Sequence, residues 1–130
     1  MNRTHKQPPA LVELVRYPLK SGAGEALQQA HVSARGVHDD RRWMVVDEHG
    51  TFLTARRRGQ LLGVSAEPGP EGAITLRASG RPSCRVAAPD PVLARRSVEV
   101  WEAACDGLDL GDDAAQWMTA IVGEKCRVVY

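Results

Sequence analysis

The apolar residues of this chain come in short runs, broken every few positions by Gly, Pro, Asp and Ser, a rhythm that belongs to strands and tight turns. Extended runs are expected at 11–17, 26–32, 43–46, 52–54, 62–66, 73–78, 84–87, 98–101 and 125–130. Those at 43–46 and 52–54 flank Asp47-Glu48-His49-Gly50 and read as a hairpin. Glu67-Pro68-Gly69-Pro70-Glu71-Gly72 tips a second one, because two Pro and two Gly within six residues continue no regular element. One segment has a helical period. Ala114, Trp117, Met118 and Ile121 recur at three and four residues, Asp112 and Asp113 place negative charge at the N-terminus, and Gly123 stands where a left-handed cap belongs. The pattern predicts a mainly β domain, a small β-barrel of about seven short strands with one helix in the C-terminal half, residues 112–122. Residues 1–9 are polar and basic and read as a disordered tail, which leaves a single domain over 10–130.

Composition narrows the class. With 43% hydrophobic and 25% charged residues, 130 residues make one globular domain with one modest core. No eighteen apolar residues run together, so no membrane span is expected. Cys84, Cys105 and Cys126 form no CxxC pair and have no His at metal-ligand spacing; they read as partly buried free thiols in a reducing compartment, which points to the cytoplasm. A net charge of +1 argues against non-specific nucleic-acid binding, and one Phe with two Tyr is too little for a stacking surface. The charge is uneven: ten Lys/Arg stand against six Asp/Glu up to residue 58, and seven against ten beyond it.

The basic half holds the candidate chemistry. In Tyr17-Pro18-Leu19-Lys20-Ser21-Gly22-Ala23-Gly24, Pro18 ends an apolar run and hands a Lys, a Ser and two Gly to the turn. Gly lets backbone N–H groups converge, Ser adds a rotatable donor and Lys a point charge, the ingredients of an anion-binding turn. Arg35, Arg41, Arg42, Arg56, Arg57 and Arg58 are expected to gather near Lys20, where a planar fork suits a phosphate. Catalytic groups are sparse. His5, His31, His38 and His49 are dispersed, and neither a Ser/His/Asp order nor paired carboxylates occur, so neither a catalytic residue nor a metal ligand is assigned. Trp43, Trp101 and Trp117 read as core anchors, each lying in an apolar strand or on the helix's apolar face. Six acids between Glu99 and Asp113 read as a solvated, helix-capping stretch.

Asp39-Asp40-Arg41-Arg42-Trp43-Met44-Val45-Val46-Asp47, then Gly50-Thr51-Phe52-Leu53-Thr54-Ala55-Arg56, Val100-Trp101, Asp106-Gly107, Gly111-Asp112-Asp113-Ala114-Ala115-Gln116-Trp117 and Arg127-Val128-Val129 follow the Tyr17 turn in an order that resembles the MOSC N-terminal β-barrel domain. That domain precedes the catalytic MOSC domain in amidoxime-reducing molybdoenzymes and molybdenum cofactor sulfurases. The resemblance implies a non-catalytic accessory domain of a molybdenum-cofactor enzyme, of the N-oxide or amidoxime reductase or the sulfur-transferring type. Such a domain contributes to pterin phosphate binding and to the substrate site. It implies cofactor contacts at Lys20 and Ser21 of the Tyr-Pro-x-Lys-Ser motif and at Arg41 of Asp-Arg-x-Trp. Arg42 stands where many relatives carry an aromatic, so the contact falls to Arg41 or Arg42. The molybdenum cofactor would be shared with a MOSC domain rather than held by this chain alone, with that domain in cis or in trans and electron-transfer proteins as partners. None of the three cysteines matches the family's molybdenum ligand. The other reading of the same residues is a free-standing anion-binding or protein-interaction barrel with no cofactor.

Overall fold

A computed structural model describes residues 6–130, so part of the expected tail, residues 1–5, lies outside the described residues. Among the described residues there are eleven short strands and one α-helix. The strands are β1 Val15–Arg16, β2 Glu25–Ala26, β3 Val32–Ser33, β4 Gly36–Val37, β5 Met44–Asp47, β6 Ser65–Pro68, β7 Ile74–Arg77, β8 Cys84–Val86, β9 Arg95–Val100, β10 Ala103–Leu108 and β11 Cys126–Val129. Helix α1 spans Asp112–Val122, as its caps predict: Gly123 is left-handed at φ 77°, and its N–H donates to Thr119 O at 2.9 Å.

The mainly β class holds, but the pairing is more broken than the sequence suggests. Antiparallel ladders join β1 to β2, β3 to β4, β5 to β11, β9 to β10, and β6 to β7 to β8. Isolated bridges tie Leu19 to Trp43, Val46 to Phe52, Thr51 to Glu99 and Asp109 to Val129. Through the last three, β5, the 51–52 segment, β9, β10 and β11 connect in a ring, and Val46, Val98 and Val129 pack together with Met44. Among the described residues no continuous closed barrel forms. Strand counts differ for a physical reason: a run becomes strand only where a neighbour offers backbone partners. The 11–17 run is strand only at Val15–Arg16, with Leu11 and Val12 exposed, and 26–32 divides between β2 and β3. The 52–54 run starts as the second arm of a hairpin, since Leu53 N donates to Val45 O at 2.9 Å. Phe52 N turns instead to Glu99 O at 3.0 Å, so the arm changes partners within one residue.

Below the ladders lies the main core, Leu19, Trp43, Val45, Leu53, Leu61, Val64, Leu76, Met118, Val122 and Val128, all at most 1% exposed. Moving one such aliphatic side chain out of water contributes about 1.5–3 kcal/mol. Strand β5 is buried on both faces, Val45 toward this core and Val46 toward the smaller cluster, which is why its apolar residues run together instead of alternating. Trp43 is a core anchor as expected, packed at a tilt of 38° against Tyr130 with ring centres 5.0 Å apart, and its indole N–H donates to Gly72 O at 3.2 Å. Trp117 packs at the edge of the core and donates to Pro82 O at 2.8 Å. Trp101 departs from the expectation. It is 71% exposed at the tip of the β9–β10 hairpin, where Val100 pairs with Ala103 and Trp101 and Glu102 form the two-residue turn at φ 50° and 64°. Cys105 is exposed as well, because most of that hairpin has no layer over it.

Candidate functional site

Two loops far apart in sequence run side by side. Arg41 N donates to Tyr17 O at 2.7 Å, Trp43 N to Pro18 O at 3.1 Å and Lys20 N to Trp43 O at 2.8 Å, so 17–20 and 41–43 form a short parallel ladder centred on the Leu19–Trp43 bridge. Its anchors are the buried Leu19 and Trp43, each in the core, which fixes the loops against the body of the domain. Asp40 closes the arrangement, accepting Tyr17 N at 2.8 Å with one carboxylate oxygen and pairing with the Arg41 guanidinium through the other. The turn itself is held from below: Gly22 N donates to Leu19 O at 2.9 Å and Ala23 N to Val64 O at 2.8 Å. Ser21 and Arg41 both sit in the left-handed region, at φ 67° and 51°, a conformation that non-glycine residues adopt where the surroundings enforce it.

The four sequence-predicted residues thus share one pair of loops, yet the side chains of Lys20, Arg41 and Arg42 lean on three separate aromatic groups. Lys20 Nζ lies 4.2 Å from the centre of Phe52 and 5.7 Å from that of Trp101. The Arg41 guanidinium lies 5.1 Å from the Tyr17 ring and that of Arg42 5.1 Å from Tyr130, whose hydroxyl is 3.4 Å from Arg42 Nη2. Arg41, on its left-handed backbone, and Arg42 thus go to different neighbours. Among the described residues, neither Lys20 nor Arg42 pairs with a carboxylate, whereas Arg41 does. The expected gathering of arginines is only partial: Arg57 and Arg58 reach Glu124 at 2.9 and 2.6 Å, beyond the helix end, and not toward Lys20.

The remaining candidates resolve into structure. Half of the acidic stretch is paired within the domain, Asp109 by Arg127 at 2.5 Å and Arg96 at 2.8 Å, Asp112 by Arg127 at 2.8 Å and Asp106 by Arg95 at 3.5 Å. Burial raises the Asp109 carboxyl, but hydrogen bonds from Arg127 and Gly111 and the charges of Arg127 and Arg96 outweigh it and hold it below its ordinary value. Burial, then Asp113, pushes the Cys84 thiol up; burial and Glu124 push Cys126 up against the opposing hydrogen bond to Thr119. Both therefore remain protonated thiols at neutral pH, a poor state for a nucleophile or a ligand. His38 is a surface residue 3.4 Å from Asp39. Among the described residues no three His, Cys, Asp or Glu groups assemble as a metal site, and no helix is long and apolar enough to cross a membrane. Clefts of about 420 and 630 Å³ lie elsewhere, one between 85–90 and 109–114 and one along β6–β8.

Sequence reasoning missed the aromatic supports and the Asp40 clamp. Phe52, Tyr17 and Tyr130 carry no polar signature that marks them as cation platforms, and Trp101 is hidden by a turn that lacks Gly.

The family model described as the MOSC N-terminal beta barrel domain matches residues 9–125. The chain is 30% identical to mitochondrial amidoxime-reducing component 1 of Mus musculus, over 98% of this chain and 39% of that protein. It is 32% identical to mitochondrial amidoxime reducing component 2 of Bos taurus, over 85% and 34%. A molybdenum cofactor sulfurase of Drosophila willistoni is 30% identical over 88% of this chain and 15% of its own length. The chain thus spans well under half of the curated relatives it matches. The solution structure of a protein from Bordetella bronchiseptica shares the fold at a TM-score of 0.58 and 24% identity, covering 79% of this chain and 88% of that one.

Proposed function

This chain belongs to the MOSC N-terminal beta barrel domain family, and from that premise we propose that it is a non-catalytic accessory domain that grips the phosphate end of a molybdenum cofactor and shapes the adjoining substrate site. The observation that carries the reading is the ladder of 17–20 against 41–43, which sets the Lys20-Ser21 turn beside Arg41 and Arg42. Lys20 has an ammonium without a carboxylate partner among the described residues, Ser21 adds a hydroxyl on a left-handed turn, and Arg41 or Arg42 adds a fork of N–H donors. This donor set fits an anionic phosphate. It does not fit a metal, since it holds neither thiolate nor imidazole and the adjoining Asp40 carboxylate is taken by Tyr17 N and Arg41.

When bound, the cofactor supplies redox chemistry at its molybdenum; the work of this chain is to bind, orient and wall off. The metal's ligands would come from a MOSC catalytic domain, in cis or in trans, with electron-transfer proteins serving the assembled enzyme. The names of the relatives support an amidoxime-reducing or sulfurase-type setting. The exposed, unpaired Cys105 supports a reducing compartment such as the cytoplasm.

Titration of inorganic phosphate and then molybdopterin into the 15N-labelled chain tests the reading. Amide shifts centred on 20–24 and 41–42 are expected. Shifts on another face, or none, would overturn it in favour of a free-standing anion-binding or interaction barrel.

A further inference from the structure

The indole of Trp101 stands out from the other two. Trp43 and Trp117 each bury much of the ring and donate the N–H to a backbone carbonyl, at Gly72 and Pro82. Trp101 is 71% exposed and makes no indole hydrogen bond among the described residues. It occupies a two-residue hairpin turn whose φ values of 50° and 64° favour Asn and Gly, so local propensity does not explain a bulky ring there. What the ring meets is Phe52, edge to face at 6.1 Å, and the Lys20 ammonium at 5.7 Å.

Phe52 is tied to the same hairpin, because its N–H donates to Glu99 O at 3.0 Å and Glu99 N returns to Gly50 O at 2.8 Å. The β9–β10 tip and the Lys20 turn therefore meet through two rings with a cation beside both. An ammonium on ring faces is attracted by their quadrupoles while its outward N–H donors stay open to an anion. A freely rotating Lys would lose that side-chain freedom on binding; one already held against Phe52 and Trp101 loses less.

We propose that Trp101 is a positioning residue: from the β9–β10 tip it holds the Lys20 ammonium against Phe52 in the orientation that receives an anion. This rests on the phosphate-grip reading and adds to it the hairpin that sets the geometry of Lys20.

The experiment compares the 130-residue chain with Trp101→Ala, Trp101→Phe, Lys20→Ala and the Trp101→Ala/Lys20→Ala double variant, using inorganic phosphate as the probe. Two readouts are followed, the ring-current shift of the Lys20 ε-methylene protons and phosphate affinity by amide titration; melting curves confirm that each variant folds. Trp101→Ala is expected to move the Lys20 methylene signals toward free lysine and to weaken phosphate about two- to five-fold. Trp101→Phe, which keeps a ring face, is expected to retain both, and Trp101→Ala is expected to cost nothing further once Lys20 is gone. An equal loss in the Lys20→Ala background, or unmoved methylene shifts in Trp101→Ala, overturns the proposal. Should the parent chain bind no phosphate, the phosphate-grip reading falls, and the methylene shifts still decide whether Trp101 holds Lys20.

Discussion

Asp40 accepts the backbone N–H of Tyr17 at 2.8 Å, across 23 positions of sequence, and its second oxygen holds Arg41. One carboxylate therefore does two things: it staples the loop that precedes Lys20 to the loop that carries the arginines, and it fixes where one of those arginines points. The staple sits outside the core, so the loops are aligned by polar contacts at the surface and by Leu19 and Trp43 beneath them.

Asp40→Ala removes the acceptor of Tyr17 N and the partner of Arg41. Because water can reach both groups, the loss should be that of one charge-assisted hydrogen bond, about 1.5 kcal/mol, or a fall in melting temperature of roughly 6 °C. Amide exchange at Tyr17 and Arg41 should accelerate more than exchange in α1. Uniform acceleration across the domain would show that the staple belongs to the global fold.

Lys20→Ala separates binding from folding. Its ammonium contributes a partly exposed cation–ring contact, about 0.5–1 kcal/mol, so the melting temperature should move by only a few degrees. Phosphate affinity should fall about ten-fold or more, the effect of removing one charged donor. An unchanged affinity in the NMR titration would remove Lys20 from the site.

How far the fold could be read ahead follows from where each signal resides. Helix α1 was legible because its period, its acidic first turn and Gly123 are all local, and the reversal at 69–72 because Pro fixes its own φ and Gly accepts conformations others do not, although Glu67 and Pro68, expected in that turn, still pair in β6. The residue types that make the Lys20 turn and the Arg41 segment candidates are local too, whereas the ladder that sets the two side by side is not. The partner switch at Phe52 was not, since it depends on Glu99, 47 positions away. Trp101 was misread because an apolar residue next to a strand looks like core unless the turn is seen, and this turn is built from Trp and Glu without the Gly that usually marks it. The rings that lie against Arg41 and Arg42 are likewise set by tertiary structure alone.

Gly72 is a position where a methyl group has no room. A Cβ there would stand 2.8 Å from Tyr130 Cδ1 and 3.2 Å from Pro89 Cδ, and the backbone φ of 91° disfavours any side chain. The same residue's carbonyl accepts the Trp43 indole N–H, so displacing it disturbs the largest buried side chain and the ring under Arg42. Gly72→Ala should cost about 3 kcal/mol from strain and overpacking together, read by chemical denaturation, with a shift in tryptophan emission in the folded state. Stability within about 1 kcal/mol of the parent would mean the 70–72 turn relaxes freely.

Asp109 is expected to make the domain's stability sensitive to acid. Its carboxylate takes Arg127 Nε at 2.5 Å, Arg96 Nε at 2.8 Å and Gly111 N at 2.9 Å, which ties β10, β11, β9 and the start of α1 together. The folded state holds this carboxyl below its ordinary 3.8, so folding favours the ionised form. Its contribution is therefore complete above about pH 4 and is lost as pH falls through the lower folded value, because the unfolded chain takes up the proton first. Asp109→Asn removes the charge while keeping the size and an acceptor. It should lower stability at pH 7 by about 2 kcal/mol and flatten the acid limb of the melting-temperature profile below about pH 4. Loss of stability at neutral pH with an unaltered acid limb would assign the acid sensitivity to other carboxylates and leave Asp109 as packing alone.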